Sequence, residues 1–183
     1  MKSISRFLAV AAFSFVCFAF MSQNSSGIAA SISKKGFKIN KVNISSDWNI
    51  TALLNELGSP DSIYTGYNKL HIYKSKGIVV FEKMESKRPS GTISEVQFFI
   101  NKNTDDNTYK LSADYTGKLV MDKLVLEPSL SYAKAKAKLS KWKLTDSYTA
   151  HSYRYARHGV YIYLLFNTSE TELMKVSVGK DNK

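Results

Sequence analysis

The chain has 183 residues, 44% of them hydrophobic and 22% charged, and its 26 Lys and Arg outnumber 15 Asp and Glu to give a net charge of +11. One cysteine excludes a disulfide-held scaffold, so a hydrophobic core must hold the fold. The basic balance suits an acidic protein partner or an anionic envelope surface.

Lys2 and Arg6 precede an uncharged apolar run of fifteen residues from Phe7 to Met21, and a polar stretch then leads to small residues at Gly27, Ala29 and Ala30. A spanning helix needs about 20 apolar residues, so residues 1–30 read as a secretory signal cleaved after Ala29 or Ala30. The competing reading is an N-terminal anchor in the inner membrane. Cys17 follows Ser14-Phe15-Val16, whereas a lipobox wants Leu three residues before the cysteine and Gly or Ala just before it, so lipidation is not expected. Removing this segment removes the only cysteine and leaves a net charge of +9. A periplasmic or secreted destination also disfavours nucleic acid as a partner.

Ser31 to Gly36 reads as a short basic lead. Phe37-Lys-Ile39 and Val42-Asn-Ile44 flank an Asn40-Lys41 turn and predict a small hairpin. Ile50, Leu53, Leu54 and Leu57 follow helical spacing, with Gly58 placed as a C-cap and Pro60 barring continuation. Residues 67–74 and 77–84 alternate and join at Lys76-Gly77, Arg88 to Gly91 reads as loop, and 93–100 as a further strand. Tyr109, Leu111, Ala113 and Tyr115 alternate as a bridging strand. A second helix is expected from Tyr132 to Lys143, facing the core with Ala135, Leu139 and Trp142, followed by strands at 148–156, 160–167 and 172–178.

Shifted by 82 residues, Phe37–Phe81 aligns without a gap on Leu119–Tyr163, with Gly77 on Gly159. The apolar pattern therefore predicts an α+β fold of two tandem repeats, each a small hairpin, one short helix and a three-stranded antiparallel sheet. The repeats are placed at 31–101 and 102–183. With no low-complexity linker between them, they are expected to share a continuous sheet or core.

His71, His151 and His158 lack ligand spacing, and no nucleophile elbow, phosphate loop or carboxylate pair is evident, so no catalytic residue, metal or cofactor is assigned. Two surfaces are candidates for a partner. On the second helix, Lys134, Lys138 and Lys141 share one face, which is either a solvated surface or a basic contact for an anionic partner. Alanines opposite these lysines make membrane docking weak. In the last hairpin, Arg154, Tyr161 and Tyr163 alternate away from the face carrying Tyr155, Val160 and Ile162. They form either a tyrosine-rich protein-binding face or a layer packed between the halves.

The segments Phe37-Lys-Ile-Asn-Lys-Val-Asn-Ile44, Leu54-Asn-Glu-Leu-Gly-Ser-Pro-Asp61 and Ile72-Tyr-Lys-Ser-Lys-Gly-Ile-Val-Val-Phe81 resemble a bacterial exported domain family of unknown function. More distantly, the unit is similar to the helix-plus-sheet repeats of the beta-lactamase inhibitor protein and the assembly lipoprotein BamE. The motifs cover residues 37–100. In the second repeat Lys141-Trp142-Lys143 replaces the Gly-x-Pro turn, and only the pattern matches. The resemblance implies a non-catalytic protein-binding role, with an inhibitor or immunity protein as one form and an envelope-assembly accessory as the alternative. It transfers no functional residues.

Overall fold

A computed structural model of the protein describes residues 27–104, 108–145 and 149–181. The apolar run read as a signal, with Cys17, lies outside the described residues.

The chain begins with β1 (Ala30–Ser33), β2 (Gly36–Ile39) and β3 (Val42–Asn43), followed by helix α1 (Ile50–Leu57). Asn49 caps α1, its side chain accepting from the Thr51 and Ala52 N–H groups at 2.8 and 3.3 Å. Ile50, Leu53 and Leu57 are buried, as their spacing predicts. Four strands then run as a meander: β4 (Ser62–Thr65), β5 (Asn68–Tyr73), β6 (Ile78–Glu85) and β7 (Arg88–Phe99). The second half supplies β8 (Leu119–Met121), β9 (Leu124–Val125), helix α2 (Tyr132–Lys138), β10 (Lys143–Thr145), β11 (Ser152–Arg157), β12 (Val160–Phe166) and β13 (Leu173–Lys180).

The architecture corrects the α+β expectation. The fold is mostly β, with one five-stranded sheet in the order β3-β2-β1-β8-β9 and one eight-stranded sheet in the order β10-β11-β12-β13-β7-β6-β5-β4. Among the described residues the two α-helices have only eight and seven residues. Neither sheet belongs to one half of the sequence. β13 pairs antiparallel with β7 from Lys175↔Phe99 to Gly179↔Glu95, and β1 pairs parallel with β8. Two separate three-stranded sheets would each leave β7 or β13 with a row of unpaired N–H and C=O groups, and pairing the two strands removes both edges.

Local differences have identifiable causes. The lead at 31–36 holds β1, the central strand of the smaller sheet, in which Ala30 and Ile32 point into the core. The expected loop at 88–91 is strand, because Ser86 and Lys87 take positive φ and turn the chain two residues earlier. The expected strand at 109–115 is an irregular crossover of turns and bends, with Lys110 at positive φ. Helix α2 stops at Lys138 instead of Lys143, since Lys143–Thr145 joins β11 as an edge strand.

One core lies between the sheets. Phe37 of the smaller sheet meets Phe98 of the larger edge-on at 6.3 Å between ring centroids, and both helices contribute buried residues to the same cluster. The inner face of the eight-stranded sheet is thus covered by the smaller sheet and the helices. Its outer face is where the two halves diverge.

Candidate functional site

Strand register places Tyr161, Gly179, Glu95, Phe81, Leu70 and Tyr64 in one row across the outer face. Arg154, Tyr163, Ser177, Gln97, Val79 and Ile72 form the next row. Each row is polar over β11–β13 and apolar over β5–β6, with β7 as the border.

Over β5–β7 the face is covered. Ile72, Val79, Phe99 and Leu111 form a second buried cluster, with Leu70, Phe81 and Tyr109 packed against it. Tyr109 and Leu111 come from the crossover, and the Tyr109 ring meets Phe81 and Phe99 edge-on at 6.2 and 5.8 Å. The crossover can lie this close because Gly77 has no side chain. A Cβ there would stand 2.4 Å from the Tyr115 nitrogen, and Gly77 also holds φ +62.

Over β10–β13 a hydrogen-bonded polar layer takes the place of a covering segment. The Arg154 guanidinium stacks on the Tyr161 ring, its carbon 4.6 Å from the ring centroid, and donates to Asp181 at 2.8 Å and to the Thr145 hydroxyl at 3.0 Å. The Tyr161 hydroxyl donates to Glu95 at 2.6 Å, and Gln97 donates to the other Glu95 oxygen at 2.6 Å. Burial, then the Glu95 carboxylate, pushes the Tyr161 hydroxyl well above its ordinary pKa, so it stays a donor. Tyr161 spans β13 to reach Glu95, which requires Gly179, where a Cβ would meet the ring at 2.4 Å. The Tyr163 hydroxyl is hydrogen-bonded to that of Ser152 at 2.7 Å. Arg154, Tyr161 and Tyr163 are therefore brought together, half-buried and each with a fixed partner.

Lys134, Lys138 and Lys141 do not join them. All three are exposed, but α2 and the turn after it pack on the inner side of the sheet through Ala135, Leu139 and Trp142. The two predicted surfaces are thus separate.

Two of the three histidines take structural partners, and His158 is exposed in the turn between β11 and β12. His71 is buried and bonds Glu82 at 2.9 Å, with Lys69 3.4 Å from the same carboxylate oxygen and the Gly91 N–H donating to the other. Burial pushes the Glu82 pKa up, but the His71 bond, the Gly91 N–H and Lys69 together hold it below the usual glutamate value. His151 and the Tyr153 hydroxyl both meet Glu170, which lowers the Glu170 pKa and raises that of Tyr153 to about 12. Sequence reasoning gave no role to Glu82, Glu95 or Asp181, because their partners lie on other strands. Among the described residues no group of three or more His, Cys, Asp or Glu could hold a metal, and no helix is long and apolar enough to cross a membrane.

Comparison with solved structures finds loose likenesses. An extracellular protein containing an SCP domain from Bacillus anthracis is 12% identical, with a TM-score of 0.46 over 74% of this chain and 44% of its own. A cysteine-rich secretory protein from Staphylococcus aureus is 9% identical, with a TM-score of 0.43 over the same shares. The chain thus spans less than half the length of either protein. A DUF4309 family protein from Bacillus subtilis is 11% identical, with a TM-score of 0.44 over 78% of this chain and 84% of its own. None of the curated proteins matches this sequence. The family described as Domain of unknown function (DUF7738) matches residues 30–135, more than half of the chain, and the protein belongs to that family.

Proposed function

We propose that this is an exported, non-catalytic module that binds an acidic protein partner through the outer face of β10–β13. The observation that carries the reading is the uneven cover of a single sheet face. The apolar half is sealed by Tyr109 and Leu111, while the polar half presents Arg154, Tyr161 and Tyr163 in fixed orientations. Tyr and Arg supply large contact areas, and groups already ordered lose little entropy on binding. The excess of basic residues favours an acidic partner and speeds encounter. Export rests on the basic and apolar pattern of residues 1–30, and cleavage after Ala29 would leave β1 whole. An inhibitor or immunity protein would use such a face to block an enzyme.

Affinity capture from the native envelope, with mass spectrometry, tests this reading. Tyr161→Ala combined with Tyr163→Ala is expected to weaken capture by about 2 kcal/mol or more, with a cooperative melt retained. Full capture by the folded double variant would remove the face from the functional account. Capture that survives this change but fails after Lys134→Gln would favour the envelope-accessory alternative, docking through the basic helix.

A further inference from the structure

A groove of about 740 Å³ lies where the β1–β2 turn, the β8–β9 turn, the end of α2 and the end of β11 converge. Six cations line it: Lys34, Lys35, Lys123, Lys138, Lys141 and Arg157. They come from four separate stretches of sequence, so the concentration of charge is a product of the fold. Asp122 is the one acid of the lining, and it is already engaged. Its carboxylate accepts from the Trp142 indole N–H at 3.0 Å and pairs with Arg157 at 3.5 Å. Its backbone N–H donates to the Ile32 carbonyl at 2.7 Å, which ties the β8–β9 turn to β1. Asp122 thus fixes the walls of the groove while leaving it strongly positive. Among the described residues, the five lysines have no carboxylate within salt-bridge distance. Met121 and Leu124 give the lining an apolar part.

We infer that this groove binds a soluble anion carrying two or more phosphate groups. Gathering six like charges, five of them without a carboxylate partner, raises the energy of the free protein, and a bound polyanion relieves it. Lysine ammonium groups are compact charges with rotatable donors, suited to tetrahedral oxyanions approached from several sides. The volume exceeds what one phosphate fills and falls within the range of roughly 300–1,000 Å³ typical of small-molecule sites. The apolar lining accommodates the organic part of a phosphorylated ligand. The site shares no residue with the Arg154, Tyr161 and Tyr163 face, and does not depend on the protein-binding reading.

Calorimetric titration of the purified protein with tripolyphosphate tests the inference. One saturable site is expected, weakened by salt, with orthophosphate binding about tenfold or more weakly by comparison. Lys138→Gln with Lys141→Gln, and separately Lys34→Gln with Lys35→Gln, should each weaken tripolyphosphate about tenfold or more. Lys134→Gln with Lys136→Gln removes the same charge from α2 outside the groove and should change affinity less than about twofold. All six lysines are exposed, so the melting temperature should hold in each variant. Equal losses in the control pair, several equivalent sites, or no saturation would overturn the proposal by reducing the groove to diffuse charge. Co-sedimentation with phosphatidylglycerol vesicles without tripolyphosphate binding would overturn it in favour of a lipid surface.

Discussion

The two halves of the outer sheet face solve the same covering problem with different chemistry. Over β5 and β6, alternate residues are apolar, and the crossover lays Tyr109 and Leu111 on them and on Phe99 of β7. Over β11–β13, the equivalent positions hold Arg154, Tyr161, Tyr163 and Ser177, where Arg154 stacks on Tyr161 and bonds Asp181 and Thr145, Tyr161 bonds Glu95, and Tyr163 bonds Ser152. Each arrangement depends on a missing side chain, Gly77 under the crossover backbone and Gly179 under the Tyr161 ring. An apolar half left bare would be an aggregation surface, whereas a polar half stays soluble and remains available to a partner.

Truncating the sealed half should have the largest effect. Phe99 is fully buried, and Phe99→Ala is expected to cost about 3–5 kcal/mol in urea denaturation. A cost under about 1 kcal/mol would mean that the crossover does not seal this half.

The buried ionic group beneath the same half comes next. Glu82→Gln leaves Lys69 and His71 without their carboxylate and should cost about 3 kcal/mol at neutral pH. Because the folded pKa of Glu82 is depressed, its stabilisation is fully present above the unfolded value of about 4.3 and is lost as pH falls through the folded value. The stability gap between wild type and variant should therefore stay level near neutrality and close only in acid. A gap that widened in acid would contradict the depressed value.

In the polar half the effects should be smaller. Gly179→Ala pushes a methyl group into the Tyr161 ring and should cost about 1–3 kcal/mol, with the ring displaced from Glu95. Tyr161→Phe keeps the ring and removes only the bond to Glu95, so about 1 kcal/mol is expected from the same denaturation curves. If Tyr161→Phe cost as much as Phe99→Ala, the polar half would be core rather than surface.

What could be read in the sequence was local. The spacing of Ile50, Leu53 and Leu57 and the glycine after them located α1, and Gly77 and Gly159 marked two strand turns. The β6–β7 turn uses Ser86 and Lys87 at positive φ, where neither glycine nor asparagine announces it. The alternation at 109–115 looked like a strand because Tyr109 and Leu111 do face a sheet, from a crossover of turns and bends. Fold class was misread because the helices are short and the strands join into sheets of five and eight, while the shared sheet expected from the absence of a linker forms where β7 pairs with β13. The grouping of Arg154, Tyr161 and Tyr163 followed from period-two alternation, but their partners Glu95 and Asp181 lie on distant stretches. The basic groove was equally hidden, because Lys34, Lys123 and Lys141 meet only after folding.

The central claim is that the open polar half, and not the sealed half, meets a partner. A photo-crosslinking phenylalanine analogue placed at Tyr163, and in a second strain at Tyr109, tests it most directly in living cells. The account predicts a discrete crosslinked protein from position 163 and none from position 109. Crosslinks from position 109 alone, or from neither position in the stably folded protein, would contradict it.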